Sequence, residues 1–224
     1  MEELSIATLG RDLAALLDHL NIPHAIMGGI SLGAAAALRM AVQYPDRCRA
    51  LILCRPASAD GPMGARARQA FALAADLLAA ENWRSSALRG IEESDTLQSL
   101  EAACPDAAKS LRGQIQSVID RPESREYAIA RLRYLPLSRG LDDGGASLAA
   151  VRCPTLILAA EGDPIHPFEY ARRLARFLPN CHVARIAPKS ALDVQPHLQE
   201  VDRIIGEFIR SISPEITTRK AIAA

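Results

Sequence analysis

Both ends of this chain alternate short apolar runs with helix-forming stretches, and the middle does not. The runs are HAIMGG at 24–29, RALILC at 49–54, TLILAA at 155–160 and, more weakly, VARIA at 183–187. Apolar runs of this length, bounded by Gly, Pro or charged residues, read as buried strands. Around them lie segments with helical spacing. Leu9, Leu13, Leu16, Leu17 and Leu20 share one helix face, which Asn21-Ile22-Pro23 ends because proline cannot continue a helix. Residues 32–43, LGAAAALRMAVQ, are helical by propensity, and Pro45-Asp46 stops them. Further helices are predicted at 167–178 and at 197–212, the latter with Val201, Ile204, Ile205, Phe208, Ile209 and Ile212 on one face. This alternation specifies an α/β fold, a mostly parallel sheet with helices on both faces.

Residues 60–145 interrupt the pattern with alanine-rich helical stretches and no convincing strand. Phe71, Leu73, Leu77 and Leu78 mark one such helix, and Leu141-Asp142-Asp143-Gly144-Gly145 reads as a flexible exit. The expected organisation is therefore a first core segment at 1–59, a helical insertion at 60–145, a second core segment at 146–213 and a flexible tail at 214–224.

The charges exclude several classes of function. Lys+Arg and Asp+Glu are both 26, so the net charge is zero, and there is no basic footprint for nucleic acid or a membrane surface. No apolar run approaches the length needed to span a bilayer, and the start, Met1-Glu2-Glu3-Leu4, is acidic where a signal peptide is basic. A cytoplasmic protein is expected. The five cysteines (Cys48, Cys54, Cys104, Cys153, Cys181) are odd in number and lack CxxC spacing, so they form no disulfide framework. Scattered His and Cys offer no metal-ligand spacing, and no metal or cofactor is expected.

Gly29-Ile30-Ser31-Leu32-Gly33 fits G-x-S-x-G, a weak signal alone, but it closes a predicted strand and opens a predicted helix. A sharp strand-to-helix turn holds the serine in a strained conformation with its hydroxyl raised above the sheet. Such a turn brings the residues two before and two after the serine together, so glycine is expected to be needed at both Gly29 and Gly33. The helix N-terminus points N–H groups at the hydroxyl, and the N–H of Leu32 is placed to stabilise an oxyanion. The competing structural reading is a helix N-cap serine. A serine needs a base to take its proton. Asp163, in Glu161-Gly162-Asp163-Pro164 just past the strand at 155–160, is the best acid, with a plain turn aspartate as the alternative.

The run DLAALLDHLNIPHAIMGGISLGAAAALRMAVQYPDRCRALILCRPA resembles the α/β-hydrolase superfamily from the helix before the nucleophile through the strand after it. CPTLILAAEGDPIHPFEYARRLARFLPNCHVARI resembles the same superfamily around its acid. The resemblance implies a Ser–Asp–His triad with Ser31 and Asp163 in matching positions, and a helical cap at 60–145. It also implies a histidine about seventeen residues before a Phe-hydrophobic pair in the last helix; counting back from Phe208-Ile209 lands on Ala191. His197 is then the provisional base, with a helix-start residue as the even alternative. His166 and Ile30 are candidate pocket residues, His166 a weaker base at three residues from Asp163; His19 and His24 are expected to be structural, and His182 lies in a strand whose sequence gives no functional hint. Thirty residues precede the serine where the family has seventy or more, so the expectation is of an α/β-hydrolase lacking its opening strands. The second oxyanion donor would be absent with them, and the strand at 24–29 would be an unpaired edge inviting a homo-oligomer. The function implied is cleavage of an ester, lactone or related acyl bond in a small-molecule substrate. The alternative is a non-catalytic remnant of the same fold. Dehalogenase-type chemistry is disfavoured, because it wants a carboxylate at the elbow.

Overall fold

The computed structural model describes residues 4–57, 61–138, 141, 145–188 and 194–222. Four strands form one parallel sheet in the order β1-β2-β3-β4: Ala25–Ser31, Cys48–Pro56, Thr155–Ala159 and Cys181–Arg185. Each coincides with one of the four apolar runs. β3 is buried along its whole length, as an inner strand covered on both faces must be.

β1 departs from its predicted burial. It alternates half-buried and exposed residues, with Ile26 37% and Ile30 66% exposed. Among the described residues it pairs with β2 alone, so it is an edge strand with one open side.

Helices cover both faces. On one, α2 (Leu32–Gln43) and α8 (Phe168–Phe177) pack Ala34, Ala37, Leu38 and Leu174 against Leu51, Leu53 and Ile157 of the sheet. On the other, α9 (Val194–Ile222) lays Val201, Ile204, Ile205 and Phe208 on Leu156, Leu158 and Ile186. α1 (Ile6–His19) is capped by the Ser5 hydroxyl, which accepts the Thr8 N–H at 3.1 Å, and packs Ala14 and Leu17 on Met40 of α2. The backbone of α9 stays helical across Pro214 to Ile222, beyond the predicted end at 212, through a run of helix formers that includes Glu215, Arg219, Lys220 and Ala221.

Between β2 and β3 five helices follow one another: α3 (Ala65–Ala79), α4 (Trp83–Glu92), α5 (Asp95–Ala103), α6 (Pro105–Asp120) and α7 (Arg125–Tyr134). They share a core of their own, in which small residues such as Ala67, Ala70, Ala74, Ala87 and Ala108 let backbones approach while Leu111 and Ile115 fill the space. Ala57 and Ile165, from loops at the carboxyl edge of the sheet, join that core and seat the helical block over the edge. Of the flexible exit predicted at 141–145, residues 142–144 lie outside the described residues.

Candidate active site

Parallel strands end on the same side, so side chains at their carboxyl ends converge there. Ser31 is the last residue of β1, with φ 56° and ψ −113°. A non-glycine residue in this region carries strain of about 1–3 kcal/mol, which persists only where the surroundings impose it. The strand-to-helix turn imposes it here: α2 begins at Leu32, one residue on.

A Cβ built on Gly29 would lie 2.4 Å from the carbonyl carbon of Gly33, so the turn tolerates no side chain at 29. The expectation for Gly33 is corrected. A Cβ at that position meets nothing within 4 Å, because it points outward while Gly33 brings only its backbone to the turn.

The Ser31 hydroxyl does not cap α2. Its Oγ lies 2.8 Å from Nε2 of His166, and Nδ1 of the same ring lies 2.9 Å from Oδ2 of Asp163. An ionised carboxylate only accepts hydrogen bonds, so Nδ1 donates to Asp163. In the neutral ring Nε2 then carries a free lone pair, and the Ser31 hydroxyl donates to it. The three side chains form one directed chain ending on the serine oxygen.

Asp163 is held from four directions. Its Oδ1 accepts the backbone N–H groups of Ile165 at 2.9 Å and His166 at 3.1 Å, winding the loop so that residue 166 returns beside residue 163. Its Oδ2 accepts from His166 and from Nη2 of Arg55. Asp163 is 5% exposed. Burial alone would raise its carboxyl, but the bonds and charges of His166 and Arg55 outweigh burial and hold it well below the usual carboxylate range.

Arg55 directly follows the apolar run at 49–54. β1 and β2 pair Ile30 with Cys54 and Ser31 with Pro56, which leaves Arg55 as an extra residue in a bulge, with φ 47°. Bulges re-aim side chains, and this one turns the guanidinium onto Asp163.

His197 lies near the start of α9, where the sequence places it, but is buried at 5% exposure, and its Nδ1 has no hydrogen-bond partner among the described residues. It makes no hydrogen bond to Ser31 or Asp163, and the ring against both is that of His166, read in the sequence as a pocket residue. Ala191 lies outside the described residues. The signal for His166 was in the sequence: an aspartate past a strand end, followed three residues later by a histidine in a loop wound tightly enough to bring the two together.

Two connected hollows flank Ser31 under the helical block. One, of about 180 Å³, is walled by Arg55, Asp106, Ser110 and His166. The other, of about 260 Å³, is walled by Leu32, Ala35, Arg131, Leu132 and Leu135. Ile30, Phe71, Ser110 and Gln114 border both. Among the described residues no group of three or more His, Cys, Asp or Glu side chains is arranged to hold a metal ion. No described helix is long and apolar enough to cross a membrane.

Comparison with known proteins agrees with this architecture. A family model described as alpha/beta hydrolase fold matches residues 2–191. A homoserine O-acetyltransferase of Ascobolus immersus is 31% identical over 136 residues, which are 58% of this chain but only 26% of that protein. 3-Oxoadipate enol-lactonase 1 of Acinetobacter baylyi is 27% identical over 216 residues, covering 95% of this chain and 74% of the lactonase. A thermophilic esterase from Thermogutta terrifontis superposes with a TM-score of 0.61 at 23% identity, over 93% of this chain and 73% of the esterase, a likeness of fold. With the matched family model taking in both sheet segments and the serine turn between β1 and α2, the chain belongs to the alpha/beta hydrolase fold family.

Proposed function

We propose that this chain is a serine hydrolase that cleaves an ester, lactone or related acyl bond in a small molecule. The observation that carries the reading is the hydrogen-bonded chain Ser31–His166–Asp163 on a strained serine at a strand-to-helix turn. In this reading Ser31 Oγ attacks the acyl carbon while its proton passes to Nε2 of His166. The oxygen of the tetrahedral intermediate takes negative charge and is stabilised by the Leu32 N–H at the start of α2. The imidazolium, oriented by Asp163, gives its proton to the departing alkoxide, which leaves as an alcohol. A water then loses a proton to Nε2, attacks the acyl-serine and releases the carboxylic acid. Arg55 fixes Asp163 from the wall of the smaller hollow.

The helical block at 61–138 acts as a cap that selects substrate, since its α3 and α6 wall both hollows and its α7 walls the larger one. The reading needs no cofactor and carries over the expectation of a cytoplasmic protein. The open side of β1 supports pairing with a second copy.

The test is labelling of purified protein with a fluorophosphonate probe, followed by peptide mapping. Labelling at Ser31 that disappears in His166→Asn supports the reading. Labelling that survives His166→Asn and disappears in His197→Asn returns the base to the end of the chain. A folded protein that takes up no probe is a non-catalytic member of the fold.

A further inference from the structure

Among the described residues, the lining of the hollow beside Ser31 has a cation and no anion. Arg131, in the last turn of α7, lines the 260 Å³ hollow. Its Nη2 donates to Oε1 of Gln114 on α6 at 3.1 Å, a neutral partner. Among the described residues no carboxylate pairs with it. Arg55 holds Asp163, Arg112 holds Glu92 and Glu101, and Arg133 holds Asp76, whereas Arg125 of the same helix donates to the backbone carbonyls of Leu78, Ala79 and Ala80 and does not line the hollow.

Burial lowers the pKa of the Arg131 guanidinium, and only the phenol of Tyr127 acts in the other direction. A guanidinium stays charged nonetheless, so a half-buried cation faces the cavity uncompensated. Asp106 lines the other hollow, where its charge acts on Arg55. Apart from Ser31, Ser110, Gln114 and Arg131 the lining is apolar, with Leu32, Ala35, Leu132 and Leu135 in it. The hollow therefore presents a nucleophile, a mostly apolar wall and a fixed positive charge. The Gln114 bond holds the guanidinium fork and leaves further N–H groups for a two-oxygen ligand.

We propose that Arg131 anchors a free carboxylate on the substrate, so that the bond cleaved belongs to a small ester or lactone carrying one carboxylate. This rests on the serine-hydrolase reading above and deepens it. The volume is below that of a pocket for a drug-sized ligand, which fits a short chain.

The test separates binding from turnover. The Ser31→Ala variant is titrated calorimetrically with monomethyl glutarate and with dimethyl glutarate, which differ by one negative charge. The monoacid is expected to bind about tenfold or more tightly, and rising salt should erode the advantage. Adding Arg131→Gln should abolish it. Adding Arg131→Lys, which keeps charge and loses the fork, should retain part of it, and it stands in if the glutamine variant does not fold. Equal affinity for the two esters, no measurable binding of the monoacid, or an advantage that survives Arg131→Gln overturns the proposal. Failure here with fluorophosphonate labelling at Ser31 intact discards the anchor alone. Selective binding without labelling discards the hydrolase reading alone.

Discussion

The carboxyl edge of the sheet and the helical block above it are built on opposite terms. At the edge, Ser31 and Arg55 both adopt positive φ, Gly29 touches backbone, and one carboxylate is gripped from four sides. In the block, no described residue from 61 to 138 has a positive φ, and the helices meet through alanine and leucine. One region stores strain to fix a few atoms; the other relies on relaxed helix packing to make walls. The contrast suggests that the edge tolerates almost no change in shape, whereas the block can be recut at its lining without losing its fold.

The sharpest way to break the contrast is at His166. Replacement by asparagine should lower kcat/KM for a simple ester about 10³-fold or more, while His197→Asn should change the rate per folded molecule by less than about threefold. Steady-state kinetics beside a melting curve separates the two. Equal losses in both would mean that the geometry at Ser31 is not the one used in turnover.

Next in size is packing. Leu111→Ala in α6 empties a fully buried site in the helical block and should cost about 2–4 kcal/mol in urea unfolding. The glycines of the turn give a paired test. Gly29→Ala drives a Cβ into the Gly33 backbone and should cost about 2 kcal/mol or more, with loss of activity. Gly33→Ala meets nothing and sits in a helix, so it should be neutral or stabilise by up to about 1 kcal/mol. The smallest effect is in acid. The folded-state pKa of Asp163 is depressed, so its stabilisation is present above the unfolded-state value near 4 and is lost as pH falls through the folded-state value. The gap in Tm between the protein and Asp163→Asn should therefore narrow progressively below about pH 4. A gap independent of pH would mean that the asparagine fails for reasons of shape alone.

The strands and most helices were legible because burial leaves a local mark: TLILAA is apolar at every position since both its faces are covered. VARIA was the faintest run because β4 is an edge strand. Ser31 and Asp163 were legible because a strand end followed by glycine or proline implies a turn at the reactive edge. Three parts of the site were not. His166 reads as a weaker base because it lies only three residues from Asp163, whereas two backbone N–H groups closing on Asp163 wind the loop and bring the two side chains together. Arg55 is aimed by a one-residue slip in pairing with a strand more than twenty residues away, which leaves no local trace. Arg131 and Gln114 meet across two helices, and nothing in either stretch announces the other.

Placing Asp163 and His166 on one short loop has a consequence for how this protein can change. Two of the three groups in the hydrogen-bonded chain are inherited together, within four consecutive codons, and swing together if that loop moves. On the reading proposed above, the polypeptide beyond that loop, from α8 onward, has no part in proton transfer. β4 and α9 are answerable only for covering the sheet, and their sequence is free to drift, or to be redesigned, under the single condition that Leu156, Leu158 and Ile186 stay dry.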